Sequence, residues 1–199
     1  MLATVIVSHN RLELLERTLE SYRATVTAPH RLVIVDNASD SRTRDFLAQC
    51  GERVEFLPEN RYPGFATNYG WTLLVDEHTT LLHRSDNDVE YKPGWCNEVL
   101  SRFEDASLGQ LGLRTLDEEG PHNAVGGNSV IRRALWDAGA RYSEQPWGAV
   151  AFEDALMSHT VQSHGYRWDR VHSPCIEHLG VADLADPYYQ ETFRIRGIS

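Results

Sequence analysis

Hydrophobic positions in the first 90 residues alternate between two rhythms. "ATVIVS" (3–8) is a short β-branched run, and in the following "RLELLERTLESYRAT" Leu12, Leu15, Leu19 and Tyr22 recur at three- and four-residue spacing. The run predicts a strand, the spacing one face of a helix. Asn10 and Glu13 are spaced as a capping box at the helix start. The cycle then repeats through strand "RLVIVD" (31–36), helix "SRTRDFLAQC" (41–50), strand "RVEFLP" (53–58), a less regular helix "GFATNYGWTLLVDE" (64–77) and strand "TTLLHRS" (79–85). Such alternation predicts an α/β fold: a Rossmann-like, mostly parallel central sheet with right-handed crossovers and helices on both faces.

In sheets of this kind ligands bind beyond the carboxyl ends of the strands. Four polar clusters stand at those ends: Ser8-His9-Asn10, Asp36-Asn37, Asn60-Arg61 and Asp86-Asn87-Asp88. All four are expected on one rim. After Trp95 the texture changes to a helix at about 94–105, a strand "GQLGLRT", a polar turn "LDEEGPHN" and a glycine-rich "VGGNSVIRRALWDAG". A loop, a helix and a short strand follow in "WGAVAFEDALMSHTVQSHGYRWDRV". No repeat or linker divides the chain, so residues 96–199 read as the second half of the domain begun by residues 1–95.

The length, 199 residues, suits one such domain with a sizeable core. No apolar run reaches the ~18 residues of a membrane span, and the N-terminus lacks signal-peptide flanks, so the expectation is a cytoplasmic protein. Cys50, Cys96 and Cys175 are odd in number and form no Cys-x-x-Cys pair, which leaves them as small core residues. A net charge of −10 opposes general attraction to nucleic acid or anionic lipid. A protein so acidic needs a metal or a few placed arginines to handle phosphates.

Asp86 and Asp88 form the first such candidate. Two carboxylates two residues apart on a turn can converge on one hard cation, Mg²⁺ or Mn²⁺, together with substrate phosphate oxygens; equally, aspartates on a turn can be simply solvated. Tyr91 and Asn97, at the sixth and twelfth positions from Asp86, exclude an EF-hand. Glu153-Asp154 opens a helix, where acids cap as readily as they catalyse. His172, Cys175 and His178, with His159 and His164, raise the thought of zinc, but their flanks match no zinc motif. Neither a P-loop nor a dinucleotide-binding glycine fingerprint is present, and "GGNSV" is no nucleophile elbow, since Ile131 stands where the second glycine belongs.

Taken in order, "SHNR", "VDNAS", "ENRYPGFATNYG", "SDND" followed by "PGW", "GGNSVIRR", the "ED" helix ending in "HGYRW" and the closing "HLG" resemble the family 2 glycosyltransferases of the GT-A fold. The resemblance runs from about residue 3 to residue 180. It implies an inverting, metal-dependent transfer of sugar from a nucleoside-diphosphate sugar, UDP-sugar by family frequency, to an acceptor hydroxyl. By the same resemblance Asp154 is the catalytic base. Ser8, Asn10, Asp36, Asn68 and Asp86 bind the nucleotide sugar, and Asp88, His178 and Asp86 hold Mn²⁺ or Mg²⁺. A helix N-terminus is expected to keep Asp154 ionised. Arg84 departs from the pattern, because apolar residues more often precede the acids. Trp147 is a candidate to stack on an acceptor sugar. The tail, with Tyr188, Tyr189, Arg194 and Arg196, reads either as a lid over the diphosphate or as a docked terminus. Two other functions stay open: a catalytically silent nucleotide-sugar-binding protein, and a sugar nucleotidyltransferase, although "SHNRLELL" lacks the glycine-rich loop the latter needs.

Overall fold

A computed structural model describes residues 1–114, 125–145 and 153–180; Trp147 and the tail with Tyr188, Tyr189, Arg194 and Arg196 lie outside them. The first cycle is strand β1 (Leu2–Ser8), helix α1 (Leu12–Thr25), strand β2 (His30–Asp36), helix α2 (Ser41–Leu47) and strand β3 (Val54–Phe56). Helix α3 (Tyr62–Leu74), strand β4 (Leu81–Asp86), strand β5 (Val89–Tyr91) and helix α4 (Trp95–Arg102) follow. The second half adds β6 (Leu108–Arg114), β7 (Ser129–Arg132), α5 (Arg133–Asp137), α6 (Glu153–Ser163), β8 (Arg167–His172) and β9 (Ile176–His178). Among the described residues no helix is long and apolar enough to cross a membrane.

The main sheet has the order β3-β2-β1-β4-β7-β6-β8. β1 pairs parallel with both β2 and β4, β2 with β3, and β6 with β8; β7 runs antiparallel between β4 and β6. The expected mostly parallel sheet is therefore present, with one reversed strand inside "GGNSVIRR" that periodicity did not reveal. Chain order reverses direction across the sheet at β1, whose neighbours β2 and β4 lie on opposite sides, and such a switch point opens a crevice at the carboxyl ends.

Both faces are buried. Ala3, Val5, Val7, Val33 and Val35 meet Trp71 of α3, Trp136 of α5 and Met157 and Val161 of α6 on one face. On the other, α1 covers Ile6 and Ile34 through Leu15 and Leu19, and Trp95 and Val99 of α4 cover the second half. Of the cysteines, Cys96 is buried and the other two are half-buried.

β4 carries polar groups on both faces, an arrangement its apolar start conceals. Leu82 faces the α3–α6 side and Leu81 the α1–α4 side; by strand alternation Arg84 and Asp86 follow Leu82, and His83 and Ser85 follow Leu81. His83 sits fully buried among Tyr22, Tyr91 and Trp95. One ring nitrogen lies 2.9 Å from Asn128 Oδ1, and Tyr91 donates to Ser85 Oγ at 2.7 Å. Burial pushes the His83 pKa down to about 4 against the Asn128 hydrogen bond, which raises it, so the ring is neutral.

Candidate active site

The rim at the carboxyl ends of β1–β4 is built from strained backbone. Among the described residues the non-glycine positions with positive φ are Asn10 and Arg11 after β1, Ala38 after β2, and Tyr62 at the first residue of α3. Left-handed backbone costs an ordinary residue about 1–2 kcal/mol, so its gathering on one rim points to a site held in shape by its surroundings.

The expected capping box at Asn10 and Glu13 does not form. Arg11 occupies the cap position of α1 at φ 60° without a side-chain cap, Asn10 Oδ1 accepts from Asp40 N at 2.7 Å, and Glu13 pairs with Arg42 at 2.8 Å. Both side chains are drawn to the start of α2, which ties the first two rim loops together. The Asn10 carbonyl accepts from Asn87 Nδ2 at 3.0 Å, joining the β1 loop to the aspartate turn.

Asp86, Asp88 and His178 converge, with one ligand atom from each within 4.8 Å of the others. Local sequence supplies the two aspartates, but the histidine arrives through a two-stranded ladder. β5 pairs antiparallel with β9, setting Val89 opposite His178, and Leu179 N donates to the Asp88 carbonyl at 2.7 Å. His178 Nε2 thereby stands 3.1 Å from Asp88 Oδ1, while Arg11 Nη1 donates to Asp88 Oδ2 at 2.6 Å. Burial would raise the Asp88 carboxyl, yet the hydrogen bond and charge of His178, with Arg11, outweigh it and hold it below the usual range. Asp86 goes the other way, raised by burial and by Asp88 against the pull of Arg84 and His178.

Two glycines are required for this convergence. A Cβ on Gly127 would come within 1.9 Å of Asp86 Oδ2, and one on Gly180 within 2.2 Å of Asp88 Oδ2. "GGN" and "HLG" thus leave room for the carboxylates. Two carboxylates and an imidazole, packed against glycine backbone, offer an oxygen–nitrogen donor set to a divalent cation. The zinc grouping of His172, Cys175 and His178 with His159 and His164 does not assemble, since His178 joins the aspartates instead; Asp86-Asp88-His178 is the candidate metal cluster among the described residues. Beside it lies a small pocket lined by Arg114, Gly126, Asn128 and His178.

The remaining expected residues take distinct places. Ser8 is fully buried at the end of β1, in register with Asp36, and its hydroxyl has no hydrogen-bond partner among the described residues. Asp36 is likewise buried, its oxygens 3.3 and 3.4 Å from Ser39 N and one of them 3.6 Å from Arg44 Nε; burial raises its pKa. Asn68 spends its amide group on Tyr142 O and Glu144 Oε1, both at 2.9 Å, and accepts from Tyr142 N at 3.1 Å, so it clamps the 142–144 segment to α3. Asp154 lies in the first turn of α6 and accepts from its neighbour Ala155 N at 2.8 Å. The helix end does not dominate its ionisation as expected. Burial first and Glu153 second push its pKa up, against weaker opposition from Arg84, the Ala155 amide and Arg114.

Arg84 joins the two acidic centres: its Nη2 donates to Glu153 Oε1 at 2.9 Å and lies 3.5 Å from Asp86 Oδ1. Sequence reading singled out Arg84 without its partner. The available signal was a cation inside an otherwise apolar strand pattern, followed seventy residues later by adjacent acids.

The sequence profile described as Glycosyl transferase family 2 matches residues 4–124, more than half of the chain. The chain belongs to glycosyl transferase family 2. Its fold is that of GT-A glycosyltransferases. Among solved structures, that of S. aureus TarS 1-349 is similar with a TM-score of 0.69 at 15% identity, over 88% of this chain and 59% of that one. The mannosyltransferase PcManGT from Pyrobaculum calidifontis, in complex with GDP-Man and Mn²⁺, is similar with a TM-score of 0.71 at 15% identity, over 98% of this chain and 60% of that one. TarS 1-349 in complex with UDP-GlcNAc reaches 0.70 at 14% identity, over 99% and 65%. The family 2 chain described here thus spans about three fifths of the length of these solved relatives. A search of curated protein sequences finds no significant match.

Proposed function

We propose that this chain transfers a sugar, with inversion, from a nucleoside-diphosphate sugar to an acceptor hydroxyl, using Mn²⁺ or Mg²⁺. The carrying observation is the convergence of Asp86, Asp88 and His178 at the switch-point rim, linked through Arg84 to the acids that open α6. UDP is the favoured nucleotide, in keeping with the UDP-GlcNAc complex of TarS; the GDP-Man complex of PcManGT keeps GDP as the alternative to test.

In this reading Asp88, His178 and Asp86 hold the metal, and Ser8, Asn10, Asp36 and Asn68 shape the nucleotide pocket in the 1–95 half. Residues 96–199 supply the acceptor side and lend His178 to the metal. The ion, when bound, offsets the negative charge that grows on the departing diphosphate. The acceptor oxygen forms a bond to the anomeric carbon as the bond to the diphosphate oxygen breaks, and its electron pair leaves with the diphosphate. Asp154 takes the acceptor's proton. An aspartate with a raised pKa serves that role better than an ordinary one, because a stronger base is matched more closely to neutral pH.

Melting curves with UDP, GDP and dTDP, with and without Mn²⁺, test the proposal together with slow hydrolysis of the cognate nucleotide sugar. Metal-dependent stabilisation by one nucleotide and metal-dependent hydrolysis are expected. Stabilisation without any hydrolysis would instead identify a silent binder.

A further inference from the structure

Arg84 is 2% exposed and projects from the middle of β4 on the Leu82–Asp86 face, below the rim. Besides its contacts to Glu153 and Asp86, its guanidinium carbon stands 4.9 Å from the centre of the Tyr142 ring. Its Nε and Nη1 are buried without hydrogen-bond partners among the described residues. A half-satisfied buried guanidinium is costly, and an apolar residue would fill the same strand position without that penalty. Glu153 is itself buried, at 7% exposure. The pair spans the gap between the strand that ends in Asp86 and the first turn of α6, where Asp154 is the next residue.

We infer that Arg84 is a positioning residue: its guanidinium fastens Glu153, and with it the first turn of α6, to the strand carrying Asp86, and so fixes where Asp154 stands relative to the donor's anomeric carbon. The inference rests on the reading of Asp154 as the base. Arg84 acts through Glu153, which it holds at 2.9 Å. It acts because a base displaced by about 1 Å loses roughly 10²-fold in rate, and the ion pair ties the first turn of α6 to the strand that ends in Asp86.

The test compares Arg84→Met, Glu153→Gln and the double variant. Arg84→Met removes the guanidinium beside a buried carboxylate and lowers the melting temperature; the double variant removes both charges and recovers most of that loss. If Arg84 only stabilises, turnover recovers with the melting temperature. If it positions, the double variant still loses about 10²-fold in kcat with the donor KM within about threefold of the parent. Its amides 153–158 also exchange at least about tenfold faster while those of β1 and β4 are unchanged. A double variant that melts and turns over like the parent, or whose α6 exchange is unchanged, overturns the inference. A parent that turns over nothing defeats the transfer reading instead, and the exchange comparison then decides by itself whether the tether exists.

Discussion

At the residue scale the site divides its acids by environment. Asp88, with an arginine and a histidine on its oxygens, is held ionised, whereas burial lifts Asp154 toward a basic role. Asp154→Asn is expected to cost about 10²–10⁴ in kcat while nucleotide binding, read by calorimetry, stays intact. Because the base must be deprotonated, the acid limb of the kcat–pH profile is expected above the ordinary aspartate pKa of about 3.9; a limb at or below that value argues against Asp154. Gly127→Ala sets a methyl group within 1.9 Å of Asp86 Oδ2. The Asp86 carboxylate must turn aside to make room. Mn²⁺ affinity is expected to fall by about tenfold or more, as measured by calorimetry, a size typical for disturbed metal-supporting groups.

At the element scale the decisive unit is the short β5–β9 ladder. Three residue pairs carry His178 to Asp88, and buried Ile176 anchors them beneath. Ile176→Ala is expected to destabilise the protein by about 2–5 kcal/mol in urea melts and to weaken Mn²⁺ binding beyond what the lost stability explains, because Ile176 belongs to the ladder that sets His178 opposite Val89. Sequence reading placed β1–β4 and their helices within a few residues, since β-branched runs and three–four spacing persist there. It missed β5, β7 and β9. Those strands are three or four residues long and fall outside the strand–helix cycle that marked the equally short β3, and they exist only through their partners. The capping box failed for a similar reason: Asn10 and Glu13 were spaced correctly but found stronger partners on the second cycle.

At the scale of the whole molecule, neutral His83 couples stability to pH. Its folded pKa of about 4 lies below the unfolded 6.5, so between those values the unfolded chain binds the extra proton and stability falls as pH falls. The loss approaches about 3 kcal/mol across that window. Urea melts from pH 7 to pH 4 are expected to show it, and His83→Gln, which keeps a neutral amide near Asn128, is expected to flatten the slope.

What the sequence determined by itself was the order of things: a strand–helix alternation, four polar clusters at strand ends, and two aspartates and two glycine motifs at fixed places along the chain. Local periodicity carries that information, because a run of seven residues or more is enough to mark a buried face. Tertiary structure alone decided which distant groups meet: His178 with Asp88 across a two-stranded ladder, Arg84 with Glu153 through the core, Asn68 with the 142–144 segment. Partner choice depends on register and on what else competes for each charge, and neither quantity is written in any one stretch of chain.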